Sequence, residues 1–291
     1  MTGPDQALVA AVAARVTRDA RVPAADVAEL VATFGLDGAQ AAMLAALPAA
    51  TALADPPISR YRVGAVGLEA PSGDLLLGGN LEFPGVDLRA TVHAEGSVAL
   101  RAHARGTSIA ALAIDAARPC AYCRQTLVEF AWARELRVID PAGHDRSIDD
   151  LVPWPFTPRD LGAAGAVPGA VAWPDLRVED PAVPVDVARA LEAAGQRAHA
   201  PYSSCPSAAV LRLHDGRLVA GMTIENVAFD PSVGPLTVAL VLLRADGDGY
   251  ADIASAWLAV RAGGPVEDVP SSRALLGAVA PDATLVTTTW T

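Results

Sequence analysis

Between Thr91 and Phe130 the chain carries His93-Ala94-Glu95 and, farther on, Pro119-Cys120-Ala121-Tyr122-Cys123. No other stretch restricts the fold as much, because these ligand-type side chains are useful together only where the backbone brings them to one point. Behind Glu95 the apolar Val98, Ala99 and Ala102 recur at helical intervals, and Gly106 is a helix stop. Ser108 to Ile114 is an apolar, β-branched run that reads as a strand. Arg118-Pro119 turns the chain, and a helical pattern restarts at Cys120 with Leu127, Phe130 and Ala131. The reading is helix, strand, helix, with His93 opening the first helix and both cysteines opening the second. Positive helix ends facing one point would favour the thiolate forms of Cys120 and Cys123.

One imidazole and two thiols make the ligand count of a catalytic zinc, whose fourth position stays open. Glu95, two residues past the histidine, reads as a proton carrier beside that position and not as a fourth ligand. Taken singly, each piece has an ordinary reading. His-x-Glu is a common helix turn, and Cys-x-x-Cys is shared with structural zinc ribbons and redox dithiols. A redox dithiol leaves His93 and Glu95 unexplained, and a ribbon needs a second cysteine pair that the sequence lacks. In this order and spacing the pieces form the established signature of zinc-dependent nucleobase deaminases.

The resemblance then narrows. Pro57-Ile58-Ser59-Arg60-Tyr61-Arg62-Val63-Gly64-Ala65, Gly79-Asn80-Leu81-Glu82-Phe83, Thr91 to Glu95 and Pro119 to Gln125 together resemble the cytidine deaminase family. The likeness is to its long, two-domain, homodimeric bacterial form and extends over nearly the whole chain. It implies one Zn²⁺ per chain on His93, Cys120 and Cys123, with Glu95 moving protons. It also implies that Asn80 and Glu82 hydrogen-bond a ribose, that Tyr61 lies against the base, and that a backbone group of Ala94 reads the pyrimidine edge. Phe156, in Trp154-Pro155-Phe156, is expected to help close the pocket. Gly96 and Arg118 depart from the larger polar and the small residue common at these places in close relatives. The implied reaction is hydrolytic deamination of cytidine and 2′-deoxycytidine in pyrimidine salvage. Two alternatives stay open on the residues alone: a zinc deaminase for another amino-heterocycle (a nucleotide, modified nucleoside or free base), and a non-catalytic zinc-stabilised scaffold that binds a nucleoside.

Composition bears on partners. The 291 residues carry 33 acidic against 22 basic side chains, a net charge of −11. Neutralising phosphates needs a basic footprint, so a nucleic acid polymer is disfavoured. No apolar run reaches the roughly 18 to 20 residues of a membrane span. With two of its 3 cysteines assigned to metal, no disulfide framework is expected, Cys205 reads as a small buried residue, and a cytoplasmic location fits.

In chain order, residues 1–48 read as a small N-terminal helical unit. Val27, Leu30, Val31 and Phe34 share a face closed by Gly35, and Asp37 with Gln40 suggests a capping box for the next helix. Residues 49–150 form the catalytic unit, with strands over Val63 to Leu68, Leu75 to Gly78 and Arg137 to Asp140. Alternating strands and helices give an α/β class with a mixed sheet covered on both faces. Residues 151–184 are a proline-rich connector. Residues 185–291 echo the catalytic unit: Ala200 to Ala209 parallels Pro57 to Ala65, and Gly221 to Asn226 parallels Gly78 to Phe83. Carried forward, the offset sets Leu236 opposite His93 and Val238 opposite Glu95, with no cysteine near residues 263 to 266. The second half therefore reads as a degenerate deaminase-like domain without zinc ligands, and the whole as a duplicated three-layer α/β/α sandwich. The remaining histidines, 103, 144, 199 and 214, read as surface or structural. Single-domain relatives are tetramers whose pockets neighbours complete. A homodimer of two catalytic and two degenerate domains would reproduce that arrangement, with active sites near the interface and Phe229 walling the partner's pocket.

Overall fold

The structure is a computed structural model that describes residues 6–115 and 118–290. Three helices come first: α1 (Gln6–Ala13), α2 (Ala24–Phe34) and α3 (Ala39–Ala52), with the short strand β1 (Arg21–Val22) before α2. Then follow β2 (Gly64–Ala70), β3 (Leu75–Gly79), α4 (Ala94–Arg105), β4 (Ser108–Ile114), α5 (Ala121–Val128), β5 (Arg137–Ile139), β6 (Asp145–Ser147) and α6 (Ile148–Leu151). After an irregular stretch come α7 (Val185–Gly195), β7 (Ala208–Leu213), β8 (Leu218–Met222), α8 (Pro235–Ala245), β9 (Ile253–Val260), α9 (Val269–Val279) and β10 (Thr284–Thr289).

One sheet has the order β1-β3-β2-β4-β5-β6 and the other β10-β9-β7-β8. Within each lies the same unit: an antiparallel hairpin, a third strand antiparallel to its first arm, and a fourth parallel to the third. The register breaks at corresponding places, between Leu68 and Glu69 in one sheet and between Arg212 and Leu213 in the other. A shared order with a shared bulge marks a duplication. The expected mixed-sheet α/β fold is thus what the chain adopts.

Helix α3 covers one face of the first sheet and α4 the other; α7 and α8 do the same for the second, and α4 packs on α8. Because both faces are covered, the inner strands β2, β3, β4, β7 and β9 are apolar nearly throughout, and the period of two appears in the destination of each side chain. Leu75 and Leu77 of β3 join Leu30, Met43 and Leu47 in the outer cluster, whereas Leu76 points into the cluster shared with α4. The N-terminal helices are therefore a structural layer of the first sheet.

Two local expectations need correction. Helix α3 starts after Gly38 with no side-chain cap, so Asp37 and Gln40 form no capping box. It runs on through Pro48 to Ala52, so a boundary at residue 48 falls inside a helix. Gly35 does close α2, in the left-handed region at φ 59°. Sequence patterning missed β1 and β6, at 2 and 3 residues each; both are too short for a period to register.

Candidate active site

His93 is the N-cap of α4, Cys120 the N-cap of α5, and Cys123 lies in the first turn of α5. Gly78 lets α4 begin this close to the sheet, since a Cβ there would stand 3.0 Å from the Ala94 carbonyl oxygen and 2.9 Å from Val98. Ser97 adds a hydrogen bond of 2.8 Å to the Gly79 carbonyl. The two helix starts meet. His93 Nδ1 lies 3.0 Å from Cys123 Sγ and 3.5 Å from Cys120 Sγ, and the sulfurs are 3.5 Å apart. Bonds of about 2.3 Å to sulfur and about 2.0 Å to nitrogen in a tetrahedron set ligand–ligand edges of roughly 3.5 to 3.8 Å. The triangle is only slightly tighter than that, so donor types and spacing both fit Zn²⁺. Among the described residues no other three ligand-type side chains gather this closely.

Burial, with Glu95 and Cys120 alongside, pushes the Cys123 thiol up. Such a thiol ionises readily only against a cation, which two positive helix ends and a metal supply. Glu95 is 3% exposed, and burial pushes its carboxyl up, against the lowering effect of a backbone hydrogen bond, His93 and Cys123. A carboxyl group raised in this way and in contact with a ligand sulfur is suited to accept and return protons. Ala94 is fully buried behind it, and Cys120 is exposed, so the ligand triangle faces solvent on the α5 side.

Asn80 and Glu82 lie on the segment leaving β3, and both are buried. Asn80 Oδ1 accepts from Val63 N at 2.8 Å, while its Nδ2 donates to the Tyr61 carbonyl at 2.9 Å. Glu82 accepts from Ile58 N at 2.9 Å, Ser59 N at 2.8 Å and Ser59 Oγ at 2.5 Å. Burial opposes ionisation of Glu82, but the Ser59 and Ile58 donors, with His93 nearby, hold its carboxyl below the usual range. Both side chains thus fix the loop that carries Tyr61, whose own side chain is half-exposed. Phe156 is exposed and tied to α5 through its carbonyl, which accepts from Gln125 Nε2 at 2.8 Å. Phe229 is 64% exposed, on a left-handed backbone at φ 64°, far from burial in its own chain.

Sequence reasoning overlooked Ser59 and Tyr122. Ser59 organises Glu82, and its signal was available: Ser203 repeats the arrangement, donating to Glu225 from both its backbone and its hydroxyl. The Tyr122 ring lies 6.3 Å from that of His93; its place inside Cys-x-x-Cys was the only hint.

The second half can be aligned on geometry. Gly221 meets the Pro235 carbonyl as Gly78 meets that of Ala94, and Ile224 bridges Val233 as Leu81 bridges Val92. Gly234 therefore stands where His93 does and Leu236 where Glu95 does, which moves the sequence alignment by two residues. The loops between hairpin and helix differ in length, and a constant offset cannot see that. Helix α9 begins after Asp268 as α5 begins after Cys120. The half-buried Asp268 carboxyl accepts from Ser207 Oγ and Thr223 Oγ1. A hydrogen-bonded acid occupies the place of a metal ligand. Cys205 is buried, as expected.

Known proteins align with both halves. The family profile for the cytidine and deoxycytidylate deaminase zinc-binding region matches residues 37–138, and a second profile of the same description matches residues 148–273. Cytidine deaminase from Vibrio vulnificus (strain YJ016) is 36% identical over 240 residues, covering 82% of this chain and 79% of that protein. Cytidine deaminase from Cronobacter sakazakii is 37% identical over 258 residues, covering 88% of this chain and 85% of that protein. Cytidine deaminase from Sodalis glossinidius is 37% identical over 268 residues, with the same 88% and 85% coverage. Identity at this level over most of both chains, with the ligand triangle and its buried carboxylate in place, makes this chain a member of the cytidine and deoxycytidylate deaminase family, in its long two-domain form.

Proposed function

We infer that this chain catalyses the zinc-dependent hydrolytic deamination of cytidine and 2′-deoxycytidine, giving uridine or 2′-deoxyuridine and ammonia. The observation that carries the reading is the buried Glu95 carboxyl in contact with the His93, Cys120 and Cys123 ligand set. A structural zinc site has no use for a proton carrier. Zinc held by these three residues supplies a Lewis acid that lowers the pKa of water toward about 7. Glu95 takes the proton that the attacking water gives up and delivers it to N3 of the pyrimidine. It then takes the remaining proton from the hydroxyl added at C4 and gives it to the exocyclic nitrogen, so that the C4–N bond breaks as the C4 carbonyl forms, and ammonia leaves, not an amide anion. Asn80 and Glu82 bind the ribose and hold the Tyr61 loop over the base, the Ala94 backbone reads the pyrimidine edge, and Phe156 closes the pocket. The test is the ultraviolet change and ammonia release on incubation with cytidine, beside a panel of nucleotides, modified nucleosides and free bases. Turnover of another member of the panel in preference to cytidine would reassign the substrate.

The reaction suits pyrimidine salvage. With Cys120 and Cys123 as metal ligands and Cys205 alone, no cysteine is paired in a disulfide, which supports a cytoplasmic setting; no single helix among the described residues is long and apolar enough to cross a membrane. We read the protein as a homodimer whose active sites lie near the interface. What supports this is that Ile58, Tyr61, Phe156 and Phe229 all leave apolar side chains exposed, available for burial against a second copy.

A further inference from the structure

Both ligand-bearing helices point their N-termini at the candidate zinc site, and the far ends of both are held by one segment of the second half, Arg197 to Tyr202. At the end of α4, Arg197 Nη2 donates to the carbonyls of His103 at 2.9 Å and Ala104 at 3.0 Å. At the end of α5, Glu129 is 1% exposed and accepts three hydrogen bonds. His199 Nε2 lies 2.6 Å and Tyr202 Oη 2.8 Å from its Oε1, and Val227 N is 2.7 Å from its Oε2. Asn226 Nδ2 adds a bond of 3.0 Å to the Gln125 carbonyl. An arginine suits a helix C-terminus, but a carboxylate there opposes the helix dipole. Glu129 thus does nothing for the stability of α5 by itself. Its burial is sustained wholly by donors from the second half, and a conflict of that kind marks a position kept for another reason.

We propose that Glu129 is a positioning residue, through which the second half sets the orientation of α5 and hence of Cys120 and Cys123 relative to His93 and Glu95. Helix α5 has only 8 residues, so a tilt at its last turn is passed to its first with little damping. This proposal rests on the deaminase reading for its activity arm only.

Glu129→Gln replaces an acceptor oxygen by an amide donor facing N–H or O–H groups. The expected result is a fall in kcat on the order of 10-fold, since misplacement of reacting groups by about 1 Å costs up to 10²-fold. KM for cytidine should stay within about twofold, and zinc loss to a chelator, measured well below the melting temperature, should quicken by about 10-fold. A lower melting temperature with kcat and zinc-loss rate unchanged would overturn the proposal, leaving Glu129 as mere interdomain glue. If Glu129→Gln does not fold, Tyr202→Phe removes one of the three donors and should shift kcat and zinc loss the same way by about two- to threefold; no change in either would again overturn it. The zinc-loss arm reads even if cytidine proves not to be the substrate, so failure of the two readings can be told apart.

Discussion

Glu95 and Glu82 are two buried carboxyl groups within one site, pushed in opposite directions by their surroundings. Glu95 has mostly burial around it and is raised, whereas Glu82 has three donors and is lowered. Environments that separate two acids in this way divide their roles: the raised group moves protons and the lowered one stays a fixed acceptor. Glu95→Gln should therefore keep one zinc per chain, by elemental analysis, while kcat falls by at least about 10² to 10⁴. Loss of metal in parallel with activity would instead make Glu95 a ligand. Asn80→Ala should behave differently, because Asn80 ties Val63 to Tyr61. The buried Val63 N–H and the part-buried Tyr61 carbonyl lose their partner, at about 1 to 3 kcal/mol, so urea denaturation should show lower stability together with a raised KM. An unchanged denaturation midpoint would deny Asn80 its loop-holding role.

Among the elements, α4 is held by contacts made at a distance in sequence. Arg101 is fully buried, and burial lowers its pKa to about 10. Its guanidinium donates to the carbonyls of Asp19, Ala20 and Leu77. It thus ties the helix that begins at His93 to the N-terminal layer and to β3, and satisfies the carbonyl of Ala20, a residue held at φ 45°. Arg101→Met keeps the stem but takes the guanidinium donors from the Asp19 and Leu77 carbonyls, while Ala20 keeps its bond from Leu77 N, and should cost about 2 to 4 kcal/mol in urea denaturation without removing zinc at 25 °C. This link could not be read from the sequence, where Arg101 sits one residue from Ala102 on a helix that otherwise patterns clearly. The elements bearing the ligands were legible because each has a local signal: Gly106 after α4, the apolar run of β4, and the turn before Cys120. Positions set by packing between layers were not. Asn80 and Glu82 read equally well as turn chemistry and as ribose ligands, because their hydrogen bonds to Val63, Tyr61, Ile58 and Ser59 lie in a loop that carries no periodic signal. The two-residue error in aligning the second half arose in a loop, where no periodicity fixes the count.

At the scale of the whole molecule, the question is what keeps a second half in which Gly234, Leu236 and Asp268 take the positions that His93, Glu95 and Cys120 hold in the first. One answer lies within the chain, in the grip of residues 197 to 202 on α4 and α5. The other lies between chains and concerns Phe229. Its left-handed backbone is held by hydrogen bonds on either side, with Phe229 N donating to the Asn226 carbonyl at 2.8 Å and Ser232 N donating to the Phe229 carbonyl at 2.9 Å. Its ring, 6.1 Å from that of Tyr202, is presented outward and left 64% exposed. Holding a large apolar ring in solvent by a strained turn has no benefit for an isolated chain. On the homodimer reading the ring walls the partner's nucleoside pocket. Phe229→Ala should then raise KM for cytidine by about 10-fold, the loss of roughly 1 to 2 kcal/mol of apolar contact, with zinc content intact. If the second half only buttresses its own chain, the same variant should leave KM unchanged. Sedimentation at assay concentration is the companion measurement: a fully active monomer would refute the shared site, whatever the variant does.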